Sequence, residues 1–344
     1  MTNTTLNQLR VNQLRKQHFL VNGQKNFYEI TESQLGFHST DYWTPYLSVW
    51  ARIGNYNAQE MFQALNSGDR LVRANAFRGT VFVIHVNNLA MILAATGPRL
   101  YNYIRRDPNL KDINDQKLET MIDTIQNAVE DKPLKNRELK EAVPELEHIL
   151  RSLIFLAMAK GKVIRAFASH AKSKQIAYAS VSKWIPELKL DLFTHTEALS
   201  QLVHRYIKLF GPVSEEDIVW WLDLPKTTIR TLLKELTSVI LTYEINGIPH
   251  YLEQEDFENA KSLEPLPEPI ISFLPYEDHF PKAFINRAWF LGEKNRSKLF
   301  PRSVKSYWPS QPSTKPQTAH KGPNQSGEIR PSIWLNDQII GRWE

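Results

Sequence analysis

Glu197–Glu253 reads EALSQLVHRYIKLFGPVSEEDIVWWLDLPKTTIRTLLKELTSVILTYEINGIPHYLE, and its punctuation decides the fold. Leu199, Leu202, Val203, Tyr206, Ile207 and Phe210 follow the period of an amphipathic helix, which Gly211-Pro212 stops. Ser214 with Glu215, Glu216 and Asp217 forms an N-terminal cap with acids in the first turn of a second helix through Trp220-Trp221. Asp223-Leu224-Pro225 breaks that helix and opens a third, whose buried stripe is Ile229, Leu232, Leu233 and Leu236. Ser238–Glu244 and Ile248–Glu253 then read as strands joined across Asn246-Gly247, a tight-hairpin signal. Three helices followed by a hairpin is the order of a winged helix.

Working outward, the same order recurs upstream. Leu118, Met121, Ile122, Ile125 and Val129 make one helical face, Asn136–Val143 a short second helix, and Leu146, Ile149, Leu150, Leu153 and Ile154 a third. Lys162–Phe167 and Ile176–Val181 are the expected strands, joined by a loop whose tip carries Lys172 and Lys174. A less regular first unit has helices near Tyr42–Ile53 and Ala58–Leu65 and strands around Leu71–Ala76 and Thr80–Val86. The chain therefore divides into units 1–111, 112–190 and 191–262 and a C-terminal segment 263–344. In that last segment Pro265, Pro267 and Pro269 exclude a long helix, and Ile270–Leu274 reads as a strand. Pro301–Pro331, rich in Pro, Ser, Gln and Lys, reads as a mobile loop, and Ser332–Leu335 with Gln338–Trp343 as a closing hairpin. The expected class is α+β, helix-rich, with three tandem winged-helix units and a C-terminal β segment.

Composition narrows the function. The 344 residues contain no cysteine, which removes disulfides, thiolate zinc sites and cysteine nucleophiles. No apolar run is longer than Leu153–Ala159, far below the roughly 20 residues of a membrane span, and the polar Met1–Arg15 shows no secretory signal. A cytoplasmic protein without membrane contact is expected. The ten histidines show no His-Glu-x-x-His spacing, no Gly-x-Gly pair exists and no Gly-x-Ser-x-Gly elbow is present, so neither metal nor nucleotide cofactor is expected. The net charge of +5 is unevenly spread: residues 1–111 hold twelve Lys/Arg against six Asp/Glu. A basic front suits a polyanion partner or a solvated face.

Several segments together resemble the bacterial winged-helix family that includes the AlkZ-like and YcaQ-like DNA glycosylases. They are Leu47-Ser48-Val49-Trp50-Ala51-Arg52, Leu71-Val72-Arg73 with Phe77-Arg78-Gly79-Thr80, and His204-Arg205-Tyr206 with Phe210-Gly211-Pro212. Phe273-Leu274-Pro275 with Asp278, Asn286-Arg287, and Arg330-Pro331 with Gly341-Arg342-Trp343 complete the series in order along almost the whole chain. The resemblance implies a C-shaped array of three winged helices around a basic concave surface. It also implies monomeric action on damaged double-stranded DNA. The reaction would be hydrolytic removal of alkylated purines, or unhooking of interstrand crosslinks, by a monofunctional glycosylase. An N7-alkylated purine is a cationic leaving group, so the enzyme mainly positions water and stabilises oxocarbenium-like charge.

The family's Gln-x-Gln or Gln-x-Asp signature falls here on His38 and Thr40 in Gly36-Phe37-His38-Ser39-Thr40-Asp41. Histidine can orient or deprotonate water and threonine can hydrogen-bond it. Asp41 either orients His38, serves as the base, or caps the following helix, a role that suits Thr40 equally. Tyr42 and Trp43 are either base-stacking residues or core. Arg52, Arg73 and Arg78 are candidates for phosphate contacts, with pairing to Asp69 or Glu60 as the alternative. Lys226, Arg230 and Lys234 recur on the face of the third helix opposite its leucines, as groove-reading or merely solvated cations. A non-catalytic DNA-binding descendant of the family is the other functional reading.

Overall fold

The computed structural model describes residues 3–20, 25–68, 70–167, 176–264, 266, 268–285, 287, 290–291 and 329–344. Lys172, Lys174, Asp69, Asn286 and nearly all of the 301–331 loop lie outside these residues. The first part runs α1 (Asn3–Lys16), α2 (Phe27–Ser33), β1 (Phe37–His38), α3 (Thr44–Ile53), α4 (Ala58–Ser67), β2 (Leu71–Asn75), β3 (Val81–His85) and α5 (Val86–Ile104). Then come α6 (Asp115–Ala128), β4 (Leu134–Lys135), α7 (Asn136–Ala142), α8 (Leu150–Ala159), β5 (Val163–Phe167), β6 (Ile176–Ser180) and α9 (Val181–Trp184). The third part is α10 (His195–Phe210), β7 (Val213–Ser214), α11 (Glu215–Leu222), α12 (Lys226–Glu235), β8 (Ile240–Ile245) and β9 (Ile248–Glu253). The chain closes with α13 (Gln254–Lys261), β10 (Ile271–Leu274), α14 (His279–Lys282), β11 (Ser332–Leu335) and β12 (Gln338–Arg342).

The protein is α+β and helix-rich, with antiparallel sheets. The punctuation of Glu197–Glu253 holds locally. Thr194 caps α10 through a capping box with Glu197, and Ser214 caps α11 with Asp217. All six residues of the α10 stripe are buried. Asn246 and Gly247 take positive φ values of 53° and 78°, as the tight turn between β8 and β9 requires. The short β7 adds a third strand, giving the order β7-β9-β8.

The upstream hairpins do not stand as separate wings. They join one six-stranded sheet ordered β1-β3-β2-β5-β6-β4, and the junction between the first two units is the pair Arg73↔Arg165. On one face lie Val72, Ala74, Phe82, Ile84, Ile164, Ala166, Ala177 and Ala179, continuous with the core of α5, α10 and α11. The other face is covered by α2, α3 and α4 at one end and by α6, α7 and α8 at the other. The nineteen-residue α5 connects these layers and is unassigned by periodicity. It buries residues on all sides from Asn88 to Leu100, so it has no stripe to read. Gly97 within it lets the Ala159 carbonyl of α8 approach to 2.3 Å of where a Cβ would stand. Among the described residues no helix is long and apolar enough to cross a membrane.

Candidate active site

His38 ends the edge strand β1, paired opposite Phe82. Gly36 makes this pairing possible: its φ is +101°, and a Cβ there would lie 2.4 Å from the Val83 carbonyl oxygen. Residues directly opposite across an antiparallel ladder share a face. His38, Phe82 and Ala74 therefore point to the face of the large core, while Phe37, Val83, Arg73 and Arg165 point to the other. The sheet thus separates two of the expected site residues, His38 and Arg73.

His38 is only 3% exposed. Its Nε2 is 3.3 Å from Thr40 Oγ1, 3.5 Å from Lys282 Nζ and 3.8 Å from Glu277 Oε2. Lys282 donates a hydrogen bond to Glu277 Oε2, and Glu277 Oε1 accepts the Ile329 N–H at 2.7 Å. The His38 Nδ1 is buried without a hydrogen-bond partner among the described residues. Burial first, then the positive charges of Lys282 and Arg78, hold His38 well below the usual histidine range. At neutral pH it is an uncharged imidazole whose Nε2 faces two donors, so that nitrogen is the acceptor and Nδ1 carries the proton. Thr40, by contrast, is exposed. Its hydroxyl can donate inward to His38 and accept from a water outside.

Asp41 has another task. Its Oδ2 accepts the N–H groups of Trp43 and Thr44 at 2.9 and 3.2 Å, organising the entry to α3. The carboxylate that reaches His38 is Glu277, and sequence reasoning missed both it and Lys282. The available signal was the matched Phe273-Leu274-Pro275…Asp278 segment, whose Asp278 adjoins Glu277. Trp43 is 53% exposed beside this loop, whereas Tyr42 is half-buried against Tyr46, their rings 5.5 Å apart.

The three arginines separate. Arg52, expected as a phosphate contact, is 3% exposed and forms a two-pronged pair with Asp278 at 2.9 and 3.0 Å. It also donates to the Ser48 carbonyl and lies over the rings of Phe19 and Phe37. A guanidinium so enclosed cannot meet a backbone phosphate, and its partner is neither Asp69 nor Glu60. Arg73 is buried and donates to Ser39 Oγ and Ser39 O at 3.0 and 2.9 Å, fixing the residue between His38 and Thr40. Arg78 is half-buried with φ 55°, its guanidinium carbon 3.8 Å from the centre of the Trp220 ring. Trp220 Nε1 donates to the Lys282 carbonyl at 3.1 Å, so Arg78 is tied to the His38 side of the sheet.

On α12, Lys226 and Arg230 pair with Glu215 at 3.1 and 3.0 Å. Among the described residues no group of three His, Cys, Asp or Glu side chains could hold a metal ion.

A search of curated proteins finds no match to the chain. Among solved structures the fold matches the DNA glycosylase AlkZ of Streptomyces sahachiroi with a TM-score of 0.77 at 13% identity, covering 98% of this chain and 87% of that one. At that identity the likeness establishes the fold. The family model of AlkZ-like DNA glycosylases matches residues 32–344, a span that takes in the His38 loop, the Arg52–Asp278 pair and the closing hairpin. The chain belongs to the AlkZ-like DNA glycosylase family.

Proposed function

We propose that the protein is a monofunctional glycosylase that hydrolyses the N-glycosidic bond of alkylated purines in double-stranded DNA, including purines in interstrand crosslinks. In this reading it acts as a cytoplasmic monomer. Units 1–111, 112–190 and 191–262 are three winged-helix units arranged around the DNA, the first two sharing one sheet, and 263–344 is a C-terminal strand segment. The observation that carries the proposal is the pairing of a neutral, buried imidazole with an exposed hydroxyl at the two signature positions, His38 and Thr40.

The chemistry follows from the hydrogen-bond directions. Thr40 donates its proton to His38 Nε2 and presents an oxygen lone pair outward to the attacking water. Water forms its bond to C1′ as the C1′–N bond breaks, and the departing electron pair neutralises the cationic alkylpurine. The water's surplus proton leaves to solvent. No strong base is required, which suits an imidazole held well below the usual histidine range. Asp41 acts through the backbone by fixing the loop, and exposed Trp43 offers a ring for an unstacked base.

The test is release of base from duplexes carrying N7- or N3-alkylpurines and from a nitrogen-mustard crosslink. Thr40→Ala and His38→Ala are each expected to lower the single-turnover rate by about 10²-fold, in the range of a lost positioning group. Release at the wild-type rate by both variants would discard this site. No release by the wild type from any of these substrates, with DNA affinity intact, would discard the reaction. That outcome would favour the second reading, a non-catalytic DNA-binding protein, which the burial of His38 also supports.

A further inference from the structure

Like charges directly opposite in a sheet are destabilising, yet the six-stranded sheet is joined at its middle by Arg73 and Arg165. Arg165 is unusual in a second respect. Among the described residues its side chain makes no hydrogen bond and no ion pair. Its Nε is buried without a partner, and the side chain as a whole is half-buried. Its guanidinium lies 5.8 Å from the centre of the Phe155 ring on α8. The charged and titratable groups acting on it are Tyr178, which shares its cross-strand row, and Arg151 at the start of α8. Neither is a carboxylate. Arg151 is exposed and likewise has no ion pair among the described residues.

This crease lies on the sheet face that holds Ser39, where Arg73 grips the loop leading to Thr40 and Trp43. A site with one exposed and one half-buried guanidinium, backed by a third and with no carboxylate among the described groups acting on Arg165, has a definite electrostatic complement: a compact anion with several acceptor oxygens. We infer that Arg165 and Arg151 form a phosphate site at the junction of the first two units, which holds the DNA backbone beside the Thr40 loop. The inference rests on the proposed DNA substrate and not on the proposed reaction. In it, Arg73 is the inner member that fixes the loop, and Arg165 is the outer member that meets the phosphate. The absent protein acceptors are supplied by phosphate oxygens, and binding relieves the repulsion across the strand pair.

The test measures affinity of the full chain for an undamaged duplex as a function of salt. Each phosphate contact contributes a slope of about 0.9 in log K against log salt. Arg165→Ala is expected to weaken binding and flatten the slope by about 0.9, and Arg151→Ala to do the same to a smaller degree. Arg165→Lys should keep the slope but not the full affinity, because an ammonium lacks the fork. A merely structural arginine would lower the melting temperature on removal. Here Arg165→Ala should leave it unchanged or raise it, because a like-charge contact is removed. An unchanged slope and affinity in both alanine variants would overturn the site, and if Arg165→Ala does not fold, Arg151→Ala decides alone. Base release at saturating protein separates the two proposals. Thr40→Ala is expected to slow that release while keeping the wild-type salt slope, so failure of the reaction and failure of the phosphate site are read in different measurements.

Discussion

Two buried charged clusters grow from the same six residues, 277–282, and they are built in opposite ways. Around Asp278 the carboxylate is fully engaged, and of the guanidinium that faces it only Arg52 Nε lacks a partner among the described residues. The carboxylate accepts from both Arg52 Nη atoms, from Ser48 Oγ at 2.7 Å and from the Phe280 N–H at 3.0 Å, while His279 Nε2 meets Gln34 Oε1 at 2.9 Å. Around Glu277 and Lys282 one group is left over, the His38 Nδ1, and one neighbour, Thr40, reaches solvent. The first cluster fastens the C-terminal segment to α3 and has nothing to offer a ligand. The second is polarised toward an opening. Burial of charge alone therefore does not mark a site here, nor does one unpartnered nitrogen; a solvent-facing neighbour such as Thr40 does.

The largest way to break this comparison is to open the closed cluster. Asp278→Ala leaves the Arg52 guanidinium buried without its counter-ion, and loss of one partner of such a pair costs about 3–5 kcal/mol. That is a large part of the stability of an ordinary domain. Urea unfolding should show a loss of that size, and a loss below about 1 kcal/mol would mean that water already reaches the pair. His38→Ala should cost much less, because one of its ring nitrogens has no bond to lose.

Acid sharpens the same contrast. Burial lowers His279 to about 3 and holds His38 well below 6.5, so in both cases the unfolded chain binds the proton first as pH falls. Their contribution is complete above about pH 6.5 and is lost progressively below it, by up to about 1.4 kcal/mol per pH unit for each ring. Asp278, held at about 2 mainly by Arg52 against the opposing effect of burial, loses its contribution only below the unfolded value of 3.8. Between pH 6.5 and 4 the histidines act and the hub's carboxylate does not. Stability measured at pH 7, 6 and 5 should fall, and His38→Gln should fall less steeply by up to about 1.4 kcal/mol per unit. Parallel slopes would mean that His38 is solvated.

The sequence made local elements legible wherever each boundary had its own chemistry. Ile248–Glu253 and Ser332–Leu335 coincide with β9 and β11; the α10 stripe is buried, as are Ile229, Leu232 and Leu233 of α12, while Leu236 just past that helix is partly buried. What it hid were partners distant along the chain. Nothing near Arg52 announces Asp278, 226 residues away, and nothing near His38 announces Lys282, 244 away. A motif match gave Arg52 as a notable residue, but an arginine required to anchor a helix and one required to hold a phosphate look the same in one dimension. The pairing of β2 with β5 was hidden for a related reason: strand alternation defines faces, not neighbours. The one-residue offset between His38 and Ser39, by contrast, was in principle readable. Alternation alone places them on opposite faces once β1 is known to be a strand.

The smallest expected effect concerns the helix that looked most like a DNA reader. In α12, Lys226 and Arg230 are exposed, but Glu215 sits between them and Glu216 lies 3.9 Å from Lys226. The acids that make a good first turn for α11 thereby take up two of the three cations on the exposed face of α12, Lys234 excepted, so one capping feature weakens the other helix's attraction for phosphate. Among the described residues Arg165 and Arg151 pair with no such acid. Lys226→Ala with Arg230→Ala should therefore leave the salt slope of DNA binding unchanged within error, under the same conditions in which Arg165→Ala flattens it. The pairs are exposed, so the melting temperature should also hold. A slope reduced by about two in the double variant would show that DNA displaces Glu215 from both cations. The reading face would then be α12, and the crease at Arg165 would lose its claim to the backbone.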